Sequence, residues 1–327
     1  MKKLTFLKSL LLGGMLFTAT ALFSQVNISA GNTVTENFDG IGTTATATLP
    51  TGWKADKNTT VRSVGSYSAA VNKTELSAGN NMSSTAGNGI YNYGAGDPTT
   101  ATDRAVGGIS SGSASKSVNV YVQLTNNGST SINNFTISFD VEKFRKGSNA
   151  AGFTIQMYYS TDGSTWTSAG DDFKGSFTAD TDNSGFASAP GATASVTGKT
   201  LSQSLDAGAS LYLAWNYSVT SGTTTSNAQA LGIDNVSIKA NGTSNPVAAT
   251  PTFSPAAGTY TSAQSVTISC ATSGASIYYT TDGSDPDNTK TQYTGAISVT
   301  STTTIKAIAY ASGYDPSAIA SATYTIN

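Results

Sequence analysis

The chain of 327 residues has no histidine and one cysteine, and only 11% of it is charged. Without imidazole there is no Ser-His-Asp or Cys-His catalysis and no histidine metal ligand. A single cysteine excludes an intramolecular disulfide and a thiolate zinc site. Globular proteins average about 25% charged residues, so polarity here rests on hydroxyls and amides instead, with 51 Thr and 45 Ser. The 17 basic residues against 19 acidic ones leave no electrostatic footprint for nucleic acid. Only three glutamates occur (Glu36, Glu75, Glu142), and strong helix formers are scarce throughout. Beyond the first residues no run is apolar enough to span a bilayer.

What is present begins with an address. Met1-Lys2-Lys3 forms a positive start, and Ser9-Leu10-Leu11-Leu12-Gly13-Gly14-Met15-Leu16-Phe17 forms an apolar run. Ala19-Thr20-Ala21 fits a small-x-small cleavage site, with Ser24 as a second one. The apolar run is shorter than the ~20 residues a spanning helix needs, so residues 1–24 read as a secretory signal peptide. No cysteine follows it for lipid attachment. The expected location is secreted or at the cell surface, with released and attached forms both open. The leader carries Lys2, Lys3 and Lys8 and no acid, so its removal moves the net charge from −2 to −5.

The mature chain is rich in strand signals. Ser117–Leu124, Phe135–Glu142, Phe153–Met157, Leu211–Val219 and Leu231–Ile238 alternate apolar and polar residues. Ile277–Tyr279, Ile297–Val299, Thr304–Tyr310 and Thr323–Ile326 continue the pattern. Gly, Asn, Asp and Ser clusters separate them, as in antiparallel sandwiches. Val266, Ile268 and Cys270 share one strand face, which makes Cys270 a small buried hydrophobe. Residues 241–250, with Pro246 in an unpatterned stretch, read as a linker. The predicted class is all-β: a large jelly-roll-like β-sandwich over 25–240, then a small immunoglobulin-like β-sandwich over 251–327.

Particular motifs resemble known families. Pro251-Thr252-Phe253-Ser254-Pro255, Gly258-Thr259-Tyr260, Tyr278-Tyr279-Thr280-Thr281-Asp282-Gly283-Ser284-Asp285-Pro286 and Thr304-Ile305-Lys306-Ala307-Ile308-Ala309 resemble the chitobiase/β-hexosaminidase C-terminal type of domain. That resemblance implies a small accessory module of extracellular bacterial proteins, often beside carbohydrate-active domains, and no catalytic residues. The larger part is similar to bacterial jelly-roll domains related to MAM and cleaved-adhesin modules. The likeness rests on Glu36-Asn37-Phe38-Asp39-Gly40, Leu49-Pro50-Thr51-Gly52-Trp53 and Leu231-Gly232-Ile233-Asp234-Asn235-Val236. Asp103-Arg104-Ala105-Val106-Gly107-Gly108 and Glu142-Lys143-Phe144-Arg145-Lys146-Gly147 fit the same pattern.

If the first and last strands lie side by side, Glu36, Asp39 and Asp234 come together. The jelly-roll resemblance implies a structural calcium there, and ordinary turn acids are the alternative. Oxygen donors are the ligands Ca²⁺ takes. Asp180-Thr181-Asp182-Asn183-Ser184-Gly185 opens like a calcium loop, but position 12 is Gly191 instead of a bidentate acid, so a polar loop is the better reading. Asp282, Asp285 and Asp287 read as turn acids. Glu142 and Arg145 read as a structural ion pair, with sugar binding as the alternative.

Aromatic side chains supply the ligand-binding candidates Trp53, Trp166, Tyr279 and Tyr314, against packing as the default for each. Catalysis would require a pair of acids in a cleft, and no spacing singles one out. The expected function is a non-catalytic binding or adhesion protein with polysaccharide or cell-surface glycan as partner. The alternatives are an extracellular spacer that binds nothing, and a carboxylate glycoside hydrolase. No nucleic acid, no membrane span and no cofactor beyond the structural calcium are expected.

Overall fold

The alternating segments form strands in a computed structural model that describes residues 25–242 and 245–327. The expected leader, residues 1–24, lies outside the described residues. The first domain contains β1 (Val26–Ile28), β2 (Thr33–Glu36), β3 (Trp53–Asn58), β4 (Leu76–Ala78), β5 (Gly89–Gly94), β6 (Arg104–Ile109) and β7 (Ser117–Asn126). It continues through β8 (Asn134–Arg145), β9 (Phe153–Ser160), β10 (Thr167–Ser168), β11 (Lys174–Phe177), β12 (Ala192–Leu201), β13 (Ser210–Val219) and β14 (Ala230–Asn241). One sheet has the order β1-β7-β13-β9-β10, with β3 also on β7 and β11 also on β9. The other has the order β12-β8-β14-β6-β5-β4, with β2 also on β14. Thus β2 and the last strand of the domain, β14, are neighbours although β1 pairs β7 in the other sheet, and Glu36 lies opposite Val236.

The two sheets share one core. Val120, Leu213 and Trp215 from the first sheet pack with Ile137, Phe139 and Ile233 from the second. Alternation explains this: successive side chains on a strand face opposite ways. Trp215 stacks on Trp53 at 5.5 Å and meets the edge of Phe139 at 5.8 Å. Each such ring removes on the order of 200 Å² from water, worth roughly 5 kcal/mol of transfer free energy.

Two buried strands escaped the pattern. β5 and β6 are fully buried and carry glycines where apolar side chains are expected. At Gly107 a Cβ would stand 2.0 Å from the Leu231 carbonyl oxygen, so close approach to β14 demands glycine there.

The second domain holds β15 (Thr252–Ser254), β16 (Gly258–Tyr260), β17 (Gln264–Ser269), β18 (Ser276–Thr280), β19 (Thr291–Gln292), β20 (Ile297–Val299), β21 (Thr303–Tyr310) and β22 (Ala320–Ile326). They form a three-stranded sheet, β15-β17-β20, and a five-stranded sheet, β16-β22-β21-β18-β19. Val266, Ile305 and Tyr324 lie at the centre of its core. Cys270 packs against that core, and its thiol donates to the Ala249 carbonyl at 3.0 Å. This domain starts before residue 251. Val247 bridges to Asp315, and Ala248 is buried in the second core, so the connection is shorter than residues 241–250. Among the described residues no helix is long and apolar enough to cross a membrane.

Candidate functional site

Carboxylates gather on the outer face of the second sheet. Asp140 and Glu142 are two residues apart on β8 and so share a face. Asp234 on β14 lies directly opposite Asp140, and Glu142 lies opposite Gly232. A bulge follows at Asn235, whose φ of +50° is tolerated because asparagine adopts left-handed backbone more readily than most residues. Asp103 immediately precedes β6, the neighbour of β14 on the other side. Asp39 reaches the same place from the turn after β2: its Oδ1 accepts a hydrogen bond from the Arg104 N–H at 2.9 Å.

This cluster is short of positive partners. Glu142 is 7% exposed, and no hydrogen bond or ion pair reaches its carboxylate among the described residues. Asp234 is 2% exposed and, among the described residues, accepts only the Asn235 N–H, at 2.6 Å. Burial pushes the Glu142 carboxyl up to about 8, with further upward pressure from Asp234, Asp103 and Asp140. Burial likewise raises Asp234 to about 7; the Asn235 N–H opposes this, and Asp103, Asp39 and Asp140 add to it. Glu36 is raised mainly by burial, although its Oε1 accepts the Phe38 N–H at 2.7 Å. It lines a groove of about 700 Å³ together with Asn37, Ile41, Pro50 and Asn235.

Glu36, Asp39 and Asp234 therefore stand in one neighbourhood, as the sequence suggests, but Glu142, Asp103 and Asp140 belong to it too. The expected Glu142–Arg145 ion pair is not formed. Residues three apart on a strand face opposite sides. Arg145 turns instead to the carbonyls of Ala228 and Ser84, the second at 2.6 Å. The donor set suits a hard divalent cation, since it is all oxygen and lacks a counter-charge. Among the described residues, no three acids are grouped closely enough to hold a metal ion as their side chains lie.

The remaining acids are committed to the protein. Asp180 accepts from Lys143 Nζ, the Gly147 N–H and Gln229 Nε2 at 2.8–2.9 Å. Asp182 pairs with Lys146 and caps Ser184. Asp282 and Asp287 accept from Ser284 and Thr289 within their own turns, and Asp285 pairs with Lys306 at 2.8 Å.

The aromatic candidates divide. Trp53 is a correction: at 2% exposure, between Phe38 and Trp215, it offers no face to a ligand. Its place at the start of β3, opposite Val122, turns it into the core. Trp166 is half-buried on the outer face of the first sheet, 5.4 Å from Tyr121, and its indole N–H donates to the Gly65 carbonyl at 2.7 Å. Tyr279 is half-buried against Tyr293 and lines a cleft of about 370 Å³ with Thr281, Asp282 and Lys290. Tyr314 packs on the second core, and its carbonyl accepts from Ser129 of the first domain at 3.1 Å.

A feature that the sequence did not signal lies over the first sheet. Residues 59–71 cross its outer face as a strap. The Ser63 carbonyl accepts from Asn119 and Asn216, and the Tyr121 hydroxyl accepts the Gly65 N–H and donates to Asp56.

Residues 255–321 match the family described as chitobiase/beta-hexosaminidase C-terminal domain. The second domain thus resembles that module, as its motifs indicate; the match concerns about a fifth of the chain. Among curated protein sequences none matches. Solved structures with some likeness include the glycoside hydrolase domain of Endo-D from Streptococcus pneumoniae, at 13% identity and a TM-score of 0.23 over 91% of this chain and 44% of that one. A cleaved adhesin domain of Lys-gingipain from Porphyromonas gingivalis is similar at 12% identity and a TM-score of 0.30, over 63% of this chain and 98% of that one. A beta-1,2-glucanase from Parabacteroides distasonis is similar at 12% identity and a TM-score of 0.20, over 93% of this chain and 39% of that one. The chain spans less than half the length of either enzyme, and overlaps this slight say nothing about activity.

Proposed function

We propose that the protein is exported and acts as a non-catalytic binding or adhesion protein whose partner is a glycan or surface polymer. The observation that carries the reading is the match of residues 255–321 to a module named for glycan-processing enzymes. The polar, weakly charged character of the chain agrees with it. Hydroxyls and amides exchange hydrogen bonds with sugars without desolvating ions.

In the first domain the carboxylate cluster serves as a structural cation site in this proposal. Glu142 and Asp234 supply its charge, with Asp39, Asp103, Asp140 and Glu36 around them. A bound Ca²⁺ would neutralise these acids and tie the bulge of β14 to β8 and to the turn after β2. The same cluster favours a cation over hydrolysis, because its central acids are buried beneath the surface instead of lining a cleft.

A glycan array probed with the mature chain, in calcium and in chelator, tests the reading. Binding to a polysaccharide class is expected, and it should weaken in chelator as the first domain loosens. Absence of binding to every glycan would leave the spacer reading in its place.

A further inference from the structure

We propose that the outer face of the first sheet carries a subsite for one carboxylate-bearing sugar residue, of the uronic acid class; this rests on the glycan reading above. The site is the cavity between β13, β9, β11 and the strap, lined by Arg62, Tyr158, Gln156, Asn216, Lys174 and Thr154, with Ser176 and Thr220 at its edge.

Register builds it. Asn216 lies opposite Gln156, and Gln156 lies opposite Lys174, so three polar side chains form one row across three strands. Ser218, Thr154 and Ser176 form the next row. Tyr158 stands opposite Ala214, which is buried with Tyr67 and Ala70 of the strap, so the strap closes this end of the cavity.

Hydrogen bonding leaves acceptors and a cation at hand. Asn216 is 1% exposed and spends its amide protons on the Ser63 carbonyl and Asn119 Oδ1, while no donor among the described residues reaches its own Oδ1. Gln156 likewise donates to the carbonyls of Met157, Gly170 and Phe173 and accepts from none of the described residues. Both side chains thus present carbonyl oxygens suited to sugar hydroxyls.

Arg62 is fixed beside them. It has a φ of +52°, which costs a non-glycine residue ~1 kcal/mol. Its N–H donates to Ser218 Oγ at 2.9 Å, and its guanidinium donates to the carbonyls of Val219 and Gly222 at 3.0 and 2.9 Å. Among the described residues no carboxylate pairs with it. Among the described residues Lys174 is held only by Asp171, in an exposed contact of 2.7 Å that a ligand carboxylate can replace at little cost.

Size and charge select the ligand. At about 130 Å³ the cavity is far below the ~300 Å³ at which pockets for whole small molecules begin. It therefore receives one residue of a chain that lies along the sheet. Two cations at its rim favour an acidic sugar, with the Tyr158 ring as a stacking face. The mature chain's net charge of −5 does not prevent this, because charges beyond about 8 Å are screened at physiological salt.

Calorimetric titration of the mature chain with tetragalacturonic acid and with cellotetraose tests the proposal. The acidic probe should bind at least tenfold more tightly, with affinity falling as salt rises. Tyr158→Ala and Lys174→Gln should each lower that affinity about tenfold. Lys174 is exposed, so its variant should not shift the melting temperature by more than about 2 °C, whereas Tyr158→Ala also gives up packing against Tyr67 and Ala214 and should melt a few degrees lower. Equal binding of the two probes, or full affinity in both variants, would overturn the subsite while the glycan reading stands. If neither probe binds and the glycan array is blank, the glycan reading itself falls, and the subsite with it.

Discussion

Replacing Glu142 by glutamine tests the physics of the carboxylate cluster. In chelator the wild-type carboxyl titrates at about 8 when folded, against 4.5 for the ordinary group. Over that interval the folded state binds more protons than the unfolded one, so stability falls as pH rises. It is fullest below about 4.5 and lowest above about 8. Each tenfold change in proton affinity is worth about 1.4 kcal/mol, which sets a ceiling of ~5 kcal/mol; relaxation around the acid brings a working figure of about 3 kcal/mol. A domain of this size shifts its melting temperature by roughly 2–4 °C per kcal/mol. Between pH 5 and pH 8 about two-thirds of that working figure, ~2 kcal/mol, is lost, so in chelator the wild type should melt about 6 °C lower at pH 8 than at pH 5, with Asp234 acting in the same direction between 3.8 and about 7. Glu142→Gln removes its share of this slope and should melt higher than wild type at pH 8. Added calcium should reverse the order: the wild type gains ~3 kcal/mol when the ion is at a hundred times its dissociation constant, and the variant gains little. Differential scanning calorimetry at the two pH values, with and without calcium, reads all of this. Wild-type melts that coincide at pH 5 and pH 8 and ignore calcium would refute both the unpaired charge and the cation.

Other perturbations probe the fold. Trp53→Ala should cost ~3–5 kcal/mol and remove the near-ultraviolet dichroism of its stack on Trp215, both measurable by thermal melting and circular dichroism. Gly107→Ala forces a Cβ against the Leu231 carbonyl and should cost about 3 kcal/mol in a urea titration, since β6 and β14 must part to admit it. Tyr121→Phe removes the hydroxyl that joins Asp56 to the strap at 2.9 Å on each side, at a cost of about 1–2 kcal/mol. Amide exchange within residues 59–71 should quicken more than in the strands beneath.

The strands that alternate, such as Phe135–Glu142 and Leu211–Val219, are legible because one face of each meets the core and the other does not. β5 and β6 are illegible for the opposite reason: both faces are buried, and glycines replace the apolar side chains that would have marked them. Asp39 and Asp234 could be joined from the motifs at the two ends of the first domain. Glu142 and Arg145 are close in sequence and of opposite charge, which favours a pair, yet strand geometry sends residues three apart to opposite sides. Composition alone leaves Trp53 open to ligand binding or to packing, and its place at the start of β3 decides for packing by directing the ring inward. The subsite beside Tyr158 depends on a strap that crosses three strands, and no local pattern encodes such a crossing.

The central claim is that the protein binds a glycan without cutting it. Size-exclusion chromatography with light scattering, run on the mature chain after long incubation with a polysaccharide that it captures, tests this most directly. Co-elution with polymer of unchanged mass is the expected result. Progressive shortening of the polymer, or elution of protein and polymer as separate peaks, would contradict it.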